Sequence, residues 1–347
     1  MLRRPTLLLL IPFVLAAAPA YAQAPPLTLP DDPSQQATAT QRIGLTDLTI
    51  SYHRPAVRGR QIWGTLVPYG EVWRAGANEN TVLTLTSAAR VGGQEVPAGS
   101  YGLHMIPTAA DWTVILSRES TAWGSFFYDA KQDAVRFSVT PRTVDHQEHL
   151  AYAFDDPSAD SVILTLRWEK LAVPIPIGVD TPAVVVESLR RELHGLPGFF
   201  WQSYARAATW SARHDVNLEE AQAWADRAIS MNRNFTTLRA KAAVLEKTGD
   251  AAGATALREQ ALTRATEAEM NVYGYELLQA GRIDQAIGVF RGNVDKYPES
   301  WNVYDSLGEA LAAKGDKAAA RAQYEKALSM VQDETNRKRI QVILAGL

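Results

Sequence analysis

The sequence of 347 residues contains no cysteine. A chain without cysteine forms no disulfide bond, offers no thiolate to a metal ion and has no cysteine nucleophile. The same absence removes an N-terminal lipid attached through cysteine. It agrees with an oxidising compartment without requiring one.

A strong excess of charge of either sign is also missing. The chain has 35 Lys and Arg residues against 38 Asp and Glu residues, which gives a net charge of −3. Proteins that bind nucleic acid usually carry a clear basic excess, so nucleic acid is not an expected partner. The apolar fraction of 46% is ordinary for globular proteins, and the length suggests two domains with substantial cores.

Familiar catalytic motifs are absent as well. The sequence has no G-x-S-x-G, no glycine-rich phosphate loop and no credible Ser-His-Asp arrangement. The Gly92-Gly93 pair lies between two strand-like runs and predicts a hairpin instead of a nucleotide loop. We therefore expect no cofactor and assign no catalytic residue.

Residues 1–22 have the pattern of a secretory signal peptide. Two arginines precede an apolar run, and the small-residue site A-Y-A ends at Ala22. The apolar run is shorter than the ~20 residues that a membrane-spanning helix needs. We expect cleavage after Ala22, with Ala24 as the next candidate site and an uncleaved anchor as the alternative. The mature protein is then exported, periplasmic or extracellular, and without stable membrane insertion.

Four segments are predicted after the signal peptide. Residues 23–41 are rich in Pro, Gln and Thr without a period, which is typical of a flexible leader. A β-sandwich domain is expected over residues 42–173, a linker over 174–182 and a helical domain over 183–347. The fold class is therefore a multidomain chain, an antiparallel β-sandwich or barrel followed by an all-α array.

Short alternating runs dominate the predicted β domain. Leu48, Ile50 and Tyr52 share one face of a strand, and similar alternation recurs in about eight short runs. Such runs at close spacing, with no helical period between them, predict an antiparallel sandwich or barrel. Large core side chains are expected from five tryptophans: Trp63, Trp73, Trp112, Trp123 and Trp168.

Prolines and a helix start define the predicted linker. Pro174 and Pro176 are expected to exclude a central strand, because proline lacks the N–H that a ladder needs. Thr181 followed by Pro182 has the pattern of a helix cap and a first helical residue.

The C-terminal half contains a repeat of 34 residues. Small or aromatic residues recur at this spacing in four pairs: Gly274 and Gly308, Gly281 and Gly315, Ala286 and Ala320, Phe290 and Tyr324. Small residues recur where two antiparallel helices touch closely, and the aromatic residue fills the gap between them. The pattern resembles the tetratricopeptide repeat, with weaker units before Gly274 and a last helix as a cap. By analogy with such repeats, a protein or peptide partner is expected.

The segment 51–85 concentrates polar and aromatic residues among glycines and prolines. Candidate binding residues here and on a neighbouring strand are His53, Arg54, Arg58, Arg74, Asn78, Glu79 and His104. Guanidinium groups bind carboxylate, phosphate or sulfate through paired hydrogen bonds, so a small anionic ligand is a further candidate partner. The favoured alternative is that the arginines pair with Glu71 and Glu79 and tie down a long connection.

Histidines offer two candidate metal sites, neither of which we favour. His146 and His149 are three residues apart, but their context indicates strand and loop, so a pair of exposed loop histidines is expected. A site drawn from His53, His104 and Glu79 lacks any local pattern that fixes its geometry. No metal is assigned.

The run from Gly59 to Glu79, GRQIWGTLVPYGEVWRAGANE, is similar to the family catalogued as domain of unknown function 2911. Later runs, VGGQEVPAGSYGLHMIP and DWTVILS, extend the resemblance to about residues 42–173. The chain departs from the family pattern at Asn80-Thr81, where Ala-Thr is usual. The resemblance implies an exported protein, in some members with tetratricopeptide repeats, and no known activity.

Three hypotheses follow from the sequence, and the third is a small-ligand sensor without turnover. The leading one is an exported binding or scaffold protein, with an Arg/Asn/Glu-lined site in its β domain and a partner-binding helical array. The alternative is a periplasmic enzyme, most plausibly a hydrolase of an anionic substrate, that uses the 51–85 segment. In that alternative Arg74 would hold the substrate, and Glu79 or His53 would move protons.

Overall fold

The computed structural model describes residues 33–347. The predicted signal peptide and most of the predicted leader lie outside the described residues. Within them, a β domain with two antiparallel sheets precedes an array of helices. The predicted fold class is confirmed, and the β domain is a sandwich.

The β-sandwich is built from ten strands in the described residues. Their bounds are β1 Gln36–Ile43, β2 Thr46–His53, β3 Thr81–Leu85, β4 Ala89–Val91, β5 Gln94–Val96, β6 Gly99–Ile106, β7 Trp112–Ser117, β8 Asp133–Val139, β9 Arg142–Asp155 and β10 Ser161–Gly178. One sheet has the order β1-β2-β3-β6-β7-β8 and the other β5-β4-β10-β9. All paired strands are antiparallel.

Alternation along the strands fills the space between the sheets. On β2, Leu48 and Ile50 are fully buried, while Thr49 between them is partly exposed. Leu164 and Leu166 on β10 meet them from the opposite sheet in the same apolar cluster. Burial of one face of each sheet is the main stabilising contribution to this domain.

Four of the five tryptophans lie in or against this core. Trp63 packs edge-on against Trp112 and Trp168, with ring centroids 4.7 and 5.7 Å apart. Trp73 stacks on Trp168 at 5.9 Å. The expectation for Trp123 is wrong, because its side chain is 52% exposed in the loop between β7 and β8.

The sheets extend beyond the predicted domain at both ends. β1 begins at Gln36, within the segment expected to be a flexible leader, and pairs along its length with β2. The sequence does not predict this strand, because its inward residues, Ala37 and Ala39, are small and their alternation gives a weak hydropathy signal.

β10 runs through the prolines that were assigned to a linker. Pairing with β9 ends at Ala172, and pairing with β4 involves Ile177 and Gly178. Pro174 and Pro176 lie between these two paired stretches, so their missing N–H groups interrupt neither pairing. Pro176 still contributes to the sheet, since its carbonyl accepts a hydrogen bond from the N–H of Gly92 at 3.0 Å.

The remaining described chain consists of ten α-helices and a short 3-10 turn. Their bounds are α1 Thr181–Leu193, α2 Trp201–His214, α3 Leu218–Met231, α4 Phe235–Lys247, α5 Ala251–Arg264, α6 Glu267–Gln279, α7 Ile283–Lys296, α8 Trp301–Lys314, α9 Lys317–Met330 and α10 Glu334–Gly346. Successive antiparallel pairs begin at α2, α4, α6 and α8, and α10 closes the array. The cap of α1 is Asp180, one residue before the predicted Thr181, because the Asp180 carboxylate accepts the Ala183 N–H at 3.0 Å.

The 34-residue repeat corresponds to the pairs α6–α7 and α8–α9. Gly274 faces the ring of Phe290, and Gly308 faces the ring of Tyr324. A side chain at either glycine would enter space that the aromatic ring occupies. The tetratricopeptide-type packing predicted from the repeat is confirmed. None of the helices within residues 33–347 has the length and apolar character needed to cross a bilayer.

Candidate functional site

The polar segment 51–85 forms the end of β2, a long connection and β3. The first part of this connection is joined to β9 by backbone hydrogen bonds. Val57 donates to the carbonyl of Glu148 at 2.8 Å, and Leu150 donates to the carbonyl of Pro55 at 3.0 Å. These bonds explain why a connection without regular structure keeps a defined course.

Three of the arginines fix this connection through backbone contacts. The Arg54 side chain donates to the carbonyl of Leu150 at 3.0 Å, and Arg60 donates to the carbonyls of Val57 and Ala56. Arg58 is exposed, and its backbone N–H donates to the Glu148 carboxylate at 2.9 Å.

The expected partners of the arginines differ from those observed. Among the residues that the structure describes, no ion pair joins these arginines to Glu71 or Glu79. The guanidinium groups of Arg54 and Arg60 satisfy carbonyl oxygens instead, which stabilises the connection as firmly as an exposed ion pair.

The stretch 74–80 separates two cavities. The first, which we call the His53 cavity, has a volume of about 360 Å³. His53 and Glu79 meet there, with 3.3 Å between Nε2 and Oε2. The His53 side chain is 11% exposed and that of Glu79 is 62% exposed, so the carboxylate is solvated and the imidazole is mostly covered.

Asn80 lies in the wall of the His53 cavity and was not among the candidate residues. It is buried, and its Nδ2 donates to the carbonyl of Glu119 at 3.4 Å. Its Oδ1 has no hydrogen-bond partner in the described part of the chain. A buried amide oxygen without a donor is uncommon, and the sequence context of a turn gave no sign of it.

The second cavity, which we call the Arg74 cavity, has a volume of about 300 Å³. Its polar and aromatic wall comprises Arg60, Arg74, Asn78, Trp73, Trp123 and Trp168. Asn78 adopts a left-handed backbone conformation, with φ of 56°, and its carbonyl accepts a hydrogen bond from Nη1 of Arg74. The turn therefore positions Arg74 directly.

Aromatic rings surround the Arg74 guanidinium on its outer side. The Cζ atom lies 5.2 Å from the ring centroid of Trp123 and 5.7 Å from that of Phe126. These two rings stack on each other with an angle of 12° between their planes. Burial lowers the pKa of Arg74, and the nearby charge of Glu79 acts in the opposite direction. The aromatic run at 123–127 was the sequence signal for this arrangement.

His104 lies apart from both cavities on strand β6. It is buried, its Nδ1 is 3.0 Å from Oγ of Ser125, and its ring packs against Tyr128. Burial lowers the pKa of His104 to about 4, with a small opposing effect from Asp133. The imidazole is therefore neutral near pH 7. His53, Arg74 and His104 do not converge on one pocket.

The second pair of histidines lies on β9 rather than in a loop. His146 and His149 are exposed, and Nε2 of His146 contacts the Glu148 carboxylate at 3.1 Å. Across residues 33–347, no group of three or more histidine or acidic side chains has the arrangement of a metal site.

Comparison with protein families finds a match that lies in the β domain. Residues 34–177 match the family described as "Protein of unknown function (DUF2911)". The β domain is similar to this family along almost its whole length. The match covers all ten strands apart from the last residue of β10, which agrees with a domain larger than the sequence predicts.

The helical array is similar to solved tetratricopeptide-containing structures. A MamA protein is 14% identical over 42% of this chain and 80% of that chain, with a TM-score of 0.27. PilF of Pseudomonas aeruginosa is 20% identical over 42% and 66%, also with a TM-score of 0.27. MamA of Desulfovibrio magneticus RS-1 is 17% identical over 43% and 82%, again at 0.27. No curated protein matches the chain.

The array that follows the β domain has a groove between α4 and α6 that the sequence did not indicate. Its volume is about 260 Å³. Arg239 crosses it, with Nη2 donating to Glu276 at 2.6 Å and Cζ lying 4.1 Å from the Tyr273 ring. A second pair, Arg258 with Glu246, lies in the same wall.

Proposed function

We propose that the chain is an exported binding or scaffold protein. In this proposal the helical array holds a protein partner, and the β domain binds a small anionic ligand. The repeat-built groove between α4 and α6 is the observation that carries the first part. The Arg74 cavity supports the second part.

The groove has the composition of a site for a polypeptide. Tyr273 offers an aromatic surface, while Arg239 and Glu276 offer charges that are already oriented by their mutual hydrogen bond. Arg282, also in the wall, is exposed and makes no ion pair with any residue from 33 to 347. An acidic side chain of the partner would form an ion pair with Arg282.

The experiment compares partner capture by three forms of the mature protein. The forms are wild type, Arg282→Glu in the groove and Arg291→Glu, an exposed position on α7 that does not line the groove. We expect one or more exported proteins of the native host to be retained by wild type and by Arg291→Glu but lost by Arg282→Glu. Binding of the purified candidate should show the same ranking. Equal retention of the partner by all three forms would exclude the groove as the binding site.

Export is supported by the sequence pattern of residues 1–22 alone. A scaffold protein of the cell envelope would meet its partner after translocation, and the absence of cysteine makes the chain indifferent to an oxidising environment.

A second candidate function, hydrolysis of an anionic substrate, is favoured by the contact of His53 with Glu79. A carboxylate beside an imidazole can orient it as a general base. In this case His53→Ala and Glu79→Gln would abolish turnover while leaving the melting temperature nearly unchanged. Loss of folding in both variants would make these residues structural.

A further inference from the structure

We infer that the Arg74 cavity binds a small carboxylate that carries a flat apolar body, with the Arg74 guanidinium as its charge partner. The inference rests on the part of the proposed function that gives the β domain a small anionic ligand. It adds the location of the site, the residue that meets the charge and the chemical class of the ligand.

The charges in the cavity wall all have one sign. Arg60 and Arg74 line it, and no acidic side chain does so among the described residues. Glu79 lies on the other side of the 74–80 stretch, in the His53 cavity, where it contacts His53. A cavity with two guanidinium groups and no carboxylate favours an anion from solution.

Arg74 is the better placed of the two arginines. Arg60 already donates Nε and Nη2 to the carbonyls of Val57 and Ala56. Arg74 donates only Nη1, to Asn78, in the described part of the chain. Its Nε and Nη2 donors therefore form the fork that a carboxylate binds with two parallel hydrogen bonds.

Electrostatics around Arg74 point in the same direction. Burial disfavours the charged form of this side chain, as its lowered pKa indicates. Two aromatic faces, those of Trp123 and Phe126, offset part of that cost. A bound anion would offset more of it, because opposite charges at hydrogen-bond distance interact strongly when partly shielded from water.

The rest of the wall is apolar and flat. Trp73 and Trp168 stack on each other behind the cavity, and Trp123 lies at its outer side. The buried indole nitrogen of Trp168 has no hydrogen-bond partner in residues 33–347. A volume of about 300 Å³ is at the lower end for small-molecule sites, so the body of the ligand is expected to be a single ring system.

The His53 cavity is a poorer site for such a ligand. Its wall contains Glu79 and several hydroxyl side chains, with no arginine or lysine among the described residues that line it. A carboxylate there would face the Glu79 carboxylate, and like charges at close range disfavour binding.

Calorimetric titration of the mature protein with phenylacetate and with indole-3-acetate tests the inference. Phenylacetamide, which keeps the ring but has no charge, and acetate, which keeps the charge but has no ring, are the matched ligands. Arg74→Gln removes the charge partner, and Arg74→Lys keeps the charge without the fork. Arg42→Gln is the control, since Arg42 is an exposed arginine of the same domain paired with Asp47.

We expect saturable binding of at least one aromatic carboxylate, weakened at least tenfold by Arg74→Gln and less by Arg74→Lys. Arg42→Gln should bind within a factor of two of wild type. Phenylacetamide and acetate should each bind at least tenfold more weakly than the aromatic carboxylate. Unchanged melting temperatures will show that the variants are folded.

Three results would overturn the inference. Binding of the aromatic carboxylates that is equal in wild type and Arg74→Gln would place the site elsewhere. Acetate that binds as tightly as the aromatic carboxylates would show that the site does not require an apolar body on its ligand. The proposed binding of a small anion would not be affected by this result. No saturable binding by any of the three carboxylates would contradict both the inference and that function, without touching the protein-binding groove.

Discussion

Burial sets the charge of His104 before any ligand is considered. The pKa of this side chain falls from 6.5 to about 4 because the charged imidazolium would lose its hydration. Between those two values the unfolded chain binds a proton that the folded chain does not. Stability therefore rises with pH across this window and is lost as the pH falls through it.

His104→Gln should flatten that pH dependence. Urea unfolding of wild type is expected to lose on the order of 2 kcal/mol from this residue between pH 7 and pH 5. The variant should lose correspondingly less over the same range. His149→Gln, an exposed histidine of β9, serves as the control and should behave as wild type. An unchanged slope in His104→Gln would contradict the assigned burial effect.

Single residues also show how far the sequence predicts the candidate site. The prominence of the segment 51–85 follows from its residue types, whereas the contact of His53 with Glu79 depends on the pairing of β2 with β3. The placement of Arg74 and Glu79 on opposite sides of the 74–80 stretch does not follow from the sequence, because it depends on the left-handed turn at Asn78. The burial of the Asn80 side chain could not be predicted from the sequence either, because it arises from packing against the chain at Glu119.

At the scale of elements, helix pairs are held at close range by glycine. A Cβ atom at Gly274 would collide with the Phe290 ring, whereas one at Gly288, on the exposed side of α7, would meet open space. Gly274 allows the two helices to pack closely. Gly288 destabilises α7, because glycine loses more backbone conformational entropy on folding than alanine does.

Opposite effects are therefore expected from the same substitution at these two positions. Gly274→Ala should lower the free energy of unfolding by about 1–3 kcal/mol through overpacking. Gly288→Ala should raise it by about 0.5–1 kcal/mol. Thermal and urea unfolding of both variants measure the difference. Stabilisation by Gly274→Ala would show that α6 and α7 are less closely packed.

The last helix is fastened to the array by a charge pair. Arg339 on α10 donates to the buried carboxylate of Asp305 on α8 at 2.7 Å. The other carboxylate oxygen has no partner in the described residues. Burial raises the pKa of Asp305, so its ionised form depends on Arg339 for compensation.

Arg339→Ala should destabilise the array by about 1–3 kcal/mol, a range lowered by the partial exposure of the arginine. Asp305→Asn in the same chain should recover part of this loss, because no buried charge then remains. Lys338→Ala, an exposed neighbour on α10, is the control. Urea unfolding of wild type, Arg339→Ala, Asp305→Asn, the double variant and Lys338→Ala gives five free energies. Additive effects of the Arg339 and Asp305 changes would argue against a direct coupling.

The strand β1 and the end of β10 were not predicted from the sequence. The strand at 36–43 has alanines on its inner face, and the end of β10 contains two prolines. Both patterns resemble loops until the partner strand is known. The 34-residue repeat was easier, because glycine and aromatic residues at fixed spacing have a single packing explanation.

For the molecule as a whole, export is the first property to measure. Expression of the full sequence in a bacterial host should give a mature protein that begins at Gln23, since the A-Y-A site ends at Ala22. Intact-mass analysis of the periplasmic fraction measures the processed end. A product that keeps Met1, or a mature protein found only inside the cytoplasm, would contradict export.

The molecule combines a β domain, in which basic residues are the only charged side chains that line the Arg74 cavity among the described residues, with a helical array that carries a charged groove. We propose that it binds a partner through that groove. The most direct measurement is the affinity of a purified captured partner for wild type, Arg282→Glu and Arg291→Glu. We expect at least a tenfold loss of affinity for Arg282→Glu alone. Equal affinity for all three forms would contradict this proposal.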